Sequence, residues 1–416
     1  MALHFQSALG IAAILALAWL LSENRRAFPF RTVAVGLLLQ VALALLLLKV
    51  PPAREGLFAL NGVVDALMAA TKAGTAFVFG YAGGGDTPFA VSNPAALGSF
   101  AFQILPLVIV ISALAALLWH WRVLPLIVQG FAFLLRKTMG IGGAVGLGSA
   151  ATLFLGMIEA PLIIRPYLPR FSRSDFFVLF TVGLASVAGT VFVLYATILA
   201  PVVPGALGHI LVASVMSLPA GIMIARIMIP GEADMERAAA ADISYRSSMD
   251  AVARGTADGL QLWLGIVAML LVMVALVALA DIILGHLPAV AGAPLSAERI
   301  FGWAFAPVVW LYGVPWNEAM TAGALMGDKT IINEFVAYMK LAALPDGALS
   351  PRARLIMLYA MCGFANFGSV GILIAGVGGL APERRDEIVP LALRALLSGT
   401  MASGLTGAII GFLPVA

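Results

Sequence analysis

The 416 residues are 62% hydrophobic and only 11% charged, with a mean hydropathy of +1.04 and a formal net charge of +3. A soluble domain carries roughly 25% charged residues, so this composition excludes a water-soluble globule and requires an integral membrane protein. The basic residues are spread through short loops, so the net charge says nothing for nucleic acid and no nucleic-acid partner is expected; the single cysteine, Cys362, excludes an intrachain disulfide or thiolate metal site.

Apolar stretches of about 20 residues, the length that crosses a bilayer, occur near 5–22, 32–50, 101–121, 175–200, 207–229, 259–284, 355–380 and 390–414. The first has no basic residues ahead of it and is followed by Ser22-Glu23-Asn24-Arg25-Arg26, which reads as a span rather than a cleaved signal peptide. Placing residues 23–31 in the cytoplasm puts most Arg and Lys inside and both termini outside. Residues 51–100 are expected as an external, partly helical segment at the interface, with a loop at Gly83-Gly84-Gly85-Asp86-Thr87-Pro88. Residues 123–137 mix apolar with basic side chains and read as an interfacial helix, separated from the preceding span by Pro125.

Residues 140–169 are apolar but punctuated by Gly and Pro, with Arg and Lys at both ends. Both ends therefore want the same side, as in a re-entrant hairpin. Residues 313–338 behave likewise from the opposite face. Such backbone survives at membrane depth only where protein or water covers it. Two spans also carry an interruption of one pattern: Gly183-Leu184-Ala185-Ser186-Val187-Ala188-Gly189 and Gly363-Phe364-Ala365-Asn366-Phe367-Gly368-Ser369. Paired interruptions in corresponding halves mark the binding site of a transporter built from inverted repeats.

The expected fold is thus an all-α polytopic membrane protein with about eight transmembrane helices, two re-entrant hairpins, two broken helices and an inverted repeat. Its parts are an N-terminal region (1–100), a first repeat (101–229), a polar cytoplasmic linker (230–258) and a second repeat (259–416).

An ionisable group at membrane depth is expensive and marks function by default. Glu159, in Gly156-Met157-Ile158-Glu159-Ala160-Pro161, falls at the tip of the first hairpin, and Glu334 falls on the return arm of the second. The bland alternative is a carboxylate that merely caps its hairpin. Asn366, Ser369 and Ser186 suit a hydroxylated solute or a cation, or else satisfy backbone opened by the break. Glu318 and Asp328 are weaker candidates at the aqueous mouth, and Lys329 either pairs with an acid or stays solvated. His4, His120, His209 and His286 make no metal spacing, and Trp119, Trp121, Trp310 and Trp316 read as interfacial anchors.

The run Gly327 to Tyr338 matches Gly-x-Lys-x3-Asn-Glu-Phe-Val-Ala-Tyr, and with both interruptions and the Phe-Ala-Phe-Gln-Ile-Leu-Pro stretch at 100–106 the chain resembles the concentrative nucleoside transporter family. The resemblance implies a homotrimer in a bacterial inner membrane that imports nucleosides with a cation by alternating access. It needs no organic cofactor; the coupling ion is H+ or Na+. A transport domain would move against a scaffold containing the spans at 101–121 and 259–284. Glu334, Asn366 and Ser369 would hold the ribose hydroxyls, and Phe364 and Val191 would pack near the base.

Two departures matter. The family's polar pair before the first hairpin's Glu is here Met157-Ile158, which leaves Glu159 as base reader, leaves base preference open and admits a modified or non-standard nucleoside-like solute. The family's cation positions are here Thr152, Leu155, Ser186 and Val187; Thr in place of Asn weakens the sodium case and tilts the expectation toward protons carried by Glu159 or Glu334. The rival classes are an intramembrane enzyme such as a lipid-linked transferase, for which the clustered carboxylates or His/Cys/Ser constellation are missing, and a channel, against which the paired hairpins argue.

Overall fold

The computed structural model describes residues 2–93, 97–231, 245–290 and 292–414. Among these, the architecture is helical, with only an isolated bridge between Val290 and Ala293. Helices α1 (Ala2–Leu20), α2 (Phe30–Lys49) and α3 (Pro51–Phe79) precede two series of seven. The first series is α4 (Leu107–His120), α5 (Val123–Met139), α6 (Gly143–Leu155), α7 (Glu159–Ile163), α8 (Arg173–Ala185), α9 (Gly189–Leu199) and α10 (Ala206–Met228). The second is α11 (Ser248–Gly285), α12 (Ala297–Leu311), α13 (Trp316–Ile331), α14 (Glu334–Ala343), α15 (Pro351–Met361), α16 (Phe367–Leu380) and α17 (Arg385–Phe412).

The two series follow one plan: two successive helices, a two-armed hairpin (α6–α7 and α13–α14), a broken span (α8–α9 and α15–α16) and a closing helix. Local chemistry sets these boundaries. Ser172 and Asp175 form a reciprocal capping box that starts α8. Ser350 caps α15 with Pro351 in its first turn, and Asn333 and Asn366 cap α14 and α16 through their side-chain oxygens. Arg122, the one non-glycine with positive φ (64°) among the described residues, separates α4 from α5, so residues 123–139 are a new helix and not a continuation.

Four expectations need correction or extension. Residues 51–79 form one unbroken 29-residue helix, and residues 62–83 are long and apolar enough to cross a membrane by length and composition alone. Contacts place it differently. Helices α2 and α8 both start beside Glu23, which bonds Arg173, and both run to the opposite face. There α3 begins, and its Met68 sulfur accepts from Thr197 Oγ1, near the end of α9, at 3.1 Å. Helix α3 therefore runs along that face. The broken span α15–α16 takes its place in the count of eight. Second, α12 has no counterpart in the sequence-based expectation; it completes the correspondence with α5. Third, α11 begins at Ser248, inside the expected 230–258 linker, whose residues 232–244 lie outside the described residues. Fourth, Trp119 is buried rather than an interfacial anchor, whereas Trp121 and Trp316 are exposed.

Packing divides the helices into two kinds. The broken span α8–α9, α10 and α17 are enclosed almost throughout, while α11 shows apolar side chains such as Leu271, Ile282 and Ile283 outward, as lipid-facing helices do. Helix α11 lies close along α4 through Gly255 and Gly259: a Cβ on either would come within 2.7 Å of α4 atoms. That four-residue spacing of small residues lets two backbones approach in lipid. On the side of Glu23, Arg226 at the end of α10 bonds Asp175 at 3.1 Å and Ser174 at 2.7 Å, all buried.

Candidate functional site

The site grows from the two helix breaks. Residues 186–188 are non-helical between α8 and α9, as are residues 362–366 between α15 and α16. The breaks touch: the Phe364 amide donates to the Ser186 carbonyl at 3.2 Å. Gly363 makes this possible, since a Cβ there would lie 2.7 Å from the Ala185 carbonyl oxygen. Each break thus satisfies part of the backbone the other has exposed, at a depth where water is scarce.

Hairpin 2 brings Glu334 to this crossing. Glu334 is the first residue of α14, directly after the capping Asn333, and is only 3% exposed. Its Oε1 accepts from the Tyr195 hydroxyl at 2.6 Å, and its Oε2 accepts from Asn366 Nδ2 at 3.2 Å. The other side of the Asn366 amide, Oδ1, accepts the Ser369 backbone N–H at 2.7 Å. Glu334, Asn366 and Ser369, expected together, are together. Tyr195 joins them from α9, one turn beyond Val191. A tyrosine in an otherwise apolar run was the available signal, for a buried phenol requires a partner. Phe335 and Tyr338 stack around it, with Phe335 against Phe100 (ring centroids 4.7 Å apart) and Tyr338 against Tyr195 (5.2 Å).

Hairpin 1 approaches the same crossing from α8–α9. A Cβ on Gly189 would lie 3.1 Å from the Phe154 carbonyl oxygen, and one on Gly156 would lie 3.2 Å from the Ala188 methyl. The end of α6, with Thr152 and Leu155, is thereby set against the break holding Ser186 and Val187. Thr152 donates its hydroxyl hydrogen to the Ser149 carbonyl at 2.7 Å, and Ser186 donates to the Val182 carbonyl at 2.9 Å. Glu159 is the first residue of α7 and is exposed. Met157 is buried against Gly183, where a Cβ would meet it at 3.0 Å, and half-buried Ile158 faces Gly376 of α16 at the same spacing. Val191 is buried and Phe364 half-buried.

The weaker candidates resolve differently. Glu318 accepts from the amide and hydroxyl of Ser350, tying hairpin 2 to the start of α15. Asp328 is not at an aqueous mouth: it is 2% exposed and pairs with Lys340 of the return arm at 2.8 Å. Lys329 is fully buried and its Nζ has no hydrogen-bond partner.

Family profiles described as Na+ dependent nucleoside transporter C-terminus, Na+ dependent nucleoside transporter N-terminus and nucleoside recognition match residues 209–411, 9–82 and 101–202. The chain is 37% identical over 411 residues to an uncharacterized transporter, YutK, of Bacillus subtilis, covering 97% of this chain and 98% of that one. It is 36% identical to the nucleoside permease NupC of Helicobacter pylori, covering 97% and 96%, and 30% identical to the sodium/nucleoside cotransporter 1 of Rattus norvegicus, of which it covers 63%. The solved structure of CNTnw in an inward-facing substrate-bound state superposes with a TM-score of 0.88 at 34% identity, over 99% of this chain and 97% of that one. Such agreement in sequence and fold along nearly the whole length means that the chain belongs to the concentrative nucleoside transporter family, as a multi-pass permease of the bacterial inner membrane and not an enzyme.

Proposed function

We propose that this permease is a cation–nucleoside symporter in which Glu334, Asn366 and Ser369 hold the ribose. The observation that carries this reading is the Glu334 carboxylate, buried at the meeting of hairpin and break and contacted by the donors of Tyr195 and Asn366. A carboxylate can accept several hydrogen bonds, and an amide both gives and takes, which suits vicinal hydroxyls. Glu159 on the exposed side of hairpin 1, with Met157, Ile158, Phe364 and Val191, forms the base end. With an apolar pair before Glu159, this end discriminates between bases less sharply than one carrying polar readers.

The coupling ion in this reading is sodium, held by the Thr152 and Ser186 hydroxyls with backbone carbonyls near Leu155 and Val187. Each hydroxyl gives its hydrogen to a carbonyl within its own helix, which leaves oxygen lone pairs for a cation. The ends of α6 and α8 also present carbonyls there, favouring positive charge. This reverses the lean toward protons that Thr152 gives by type alone. The proton reading keeps Glu159 and Glu334 as its candidate carriers, an intramembrane acid being costly in its charged form. Transport proceeds by alternating access, the hairpins and broken spans moving against α4 and α11, within a homotrimer. Uptake of labelled uridine and adenosine into proteoliposomes under separate sodium and proton gradients tests substrate and ion together, and molar mass in detergent tests the assembly.

A further inference from the structure

Lys329 is the largest anomaly left over. It lies in the last turn of α13, has no solvent exposure, and its ammonium has no hydrogen-bond partner. An unpaired charge buried this way is strongly unfavourable unless something compensates it at short range. The adjacent acid does not, because Asp328 pairs with Lys340 on α14. Glu334 is the complementary anomaly. It is a buried carboxylate whose two contacts, Tyr195 and Asn366, are neutral donors. The two residues are five apart in sequence, on opposite arms of hairpin 2 across the Ile332–Asn333 turn.

The first hairpin provides an internal control. Five residues before Glu159 stands Phe154, an apolar residue. Glu159 keeps surface exposure, whereas Glu334 is enclosed. A lysine appears at this offset only on the hairpin whose acid is sealed in.

We infer that Lys329 is a positioning residue for the substrate carboxylate: its ammonium is the fixed counter-charge that lets Glu334 stand ionised and correctly aimed while hairpin 2 is closed over it. The part that concerns ribose binding rests on the nucleoside reading above; the charge pairing does not.

A double-mutant cycle separates the two. The melting temperature of the purified protein is measured without nucleoside for wild type, Lys329→Met, Glu334→Gln and Lys329→Met/Glu334→Gln. Each single variant leaves one buried charge uncompensated, so the double variant is expected to melt above Lys329→Met alone. Additive losses, or a double variant that fails to fold where Glu334→Gln folds, would overturn the pairing. The second readout is nucleoside uptake by Lys329→Met in proteoliposomes, expected to show KM raised about tenfold or more with Vmax changed much less. Thermal coupling with an unaltered KM would make the pair purely structural and overturn the positioning role. Absence of any nucleoside uptake by the wild type would instead refute the transport reading, leaving the thermal cycle to judge the pair.

Discussion

The amide of Phe364 donates to the carbonyl of Ser186 across 3.2 Å, joining two helix breaks that lie 178 residues apart in sequence. One backbone hydrogen bond joins the breaks directly, so the crossing is held by close approach rather than by bulk. Gly363→Ala tests it. The added methyl would meet the Ala185 carbonyl at 2.7 Å, a backbone atom that cannot swing away. Overpacking of this kind costs about 1–3 kcal/mol. We expect a lower melting temperature and uptake reduced by more than the loss of folded protein explains; unaltered uptake would show that the breaks tolerate separation.

Tyr195→Phe removes the hydroxyl that bonds Glu334 at 2.6 Å and leaves a buried carboxylate oxygen without its donor. The expected cost is about 2 kcal/mol, read as roughly thirtyfold weaker nucleoside affinity by calorimetry. The aromatic ring, and with it the packing against Phe335 and Tyr338, is kept.

Away from the site, Asp175→Asn breaks the buried pair with Arg226, whose partners Ser174 and Gly231 remain neutral. Removing one member of a buried pair costs about 3–5 kcal/mol. Thermal unfolding should fall accordingly, while the KM of the protein that remains folded should stay near the wild-type value.

Glu23 links the α1–α2 loop to Arg173 of α8 and Arg394 of α17. The hydrogen bond from Arg173, aided by the charges of Arg173 and Arg394, holds its carboxyl below the ordinary value of 4.5. A carboxyl lowered on folding adds stability that is present above the unfolded value and lost as pH falls through the folded one. The wild-type melting temperature should therefore drop below pH 4.5 more steeply than that of Glu23→Gln, whose curve should start lower and run flatter there. Both side chains are about one-third exposed or more, so the difference should be small and shrink with salt.

Much of this was legible because membranes punish exceptions. Glu159 and Glu334 stood out as acids in apolar surroundings, and the breaks near Ser186 and Asn366 announced themselves by Gly, Ser and Asn where Leu and Val prevail. Amphipathic helices were harder. Helix α3 looked like an interrupted surface stretch because Asp65 and Lys72 interrupt its apolar run, and α12 carries Glu298, Arg299 and Pro307 within 15 residues. Pairings across distance were out of reach: nothing in the run Val191–Leu199 reveals that Tyr195 meets Glu334, and nothing around Lys329 reveals that Asp328 turns away to Lys340.

The most direct test is labelled nucleoside uptake by wild type and Glu334→Gln in sealed proteoliposomes, with an inward sodium gradient, an inward proton gradient, or neither. The expected result is accumulation by the wild type above equilibrium only when sodium is imposed, its loss on adding a sodium ionophore, and none by Glu334→Gln protein that reconstitutes normally. Accumulation under a proton gradient alone would contradict the sodium site at Thr152 and Ser186. Undiminished uptake by Glu334→Gln would contradict the binding site itself.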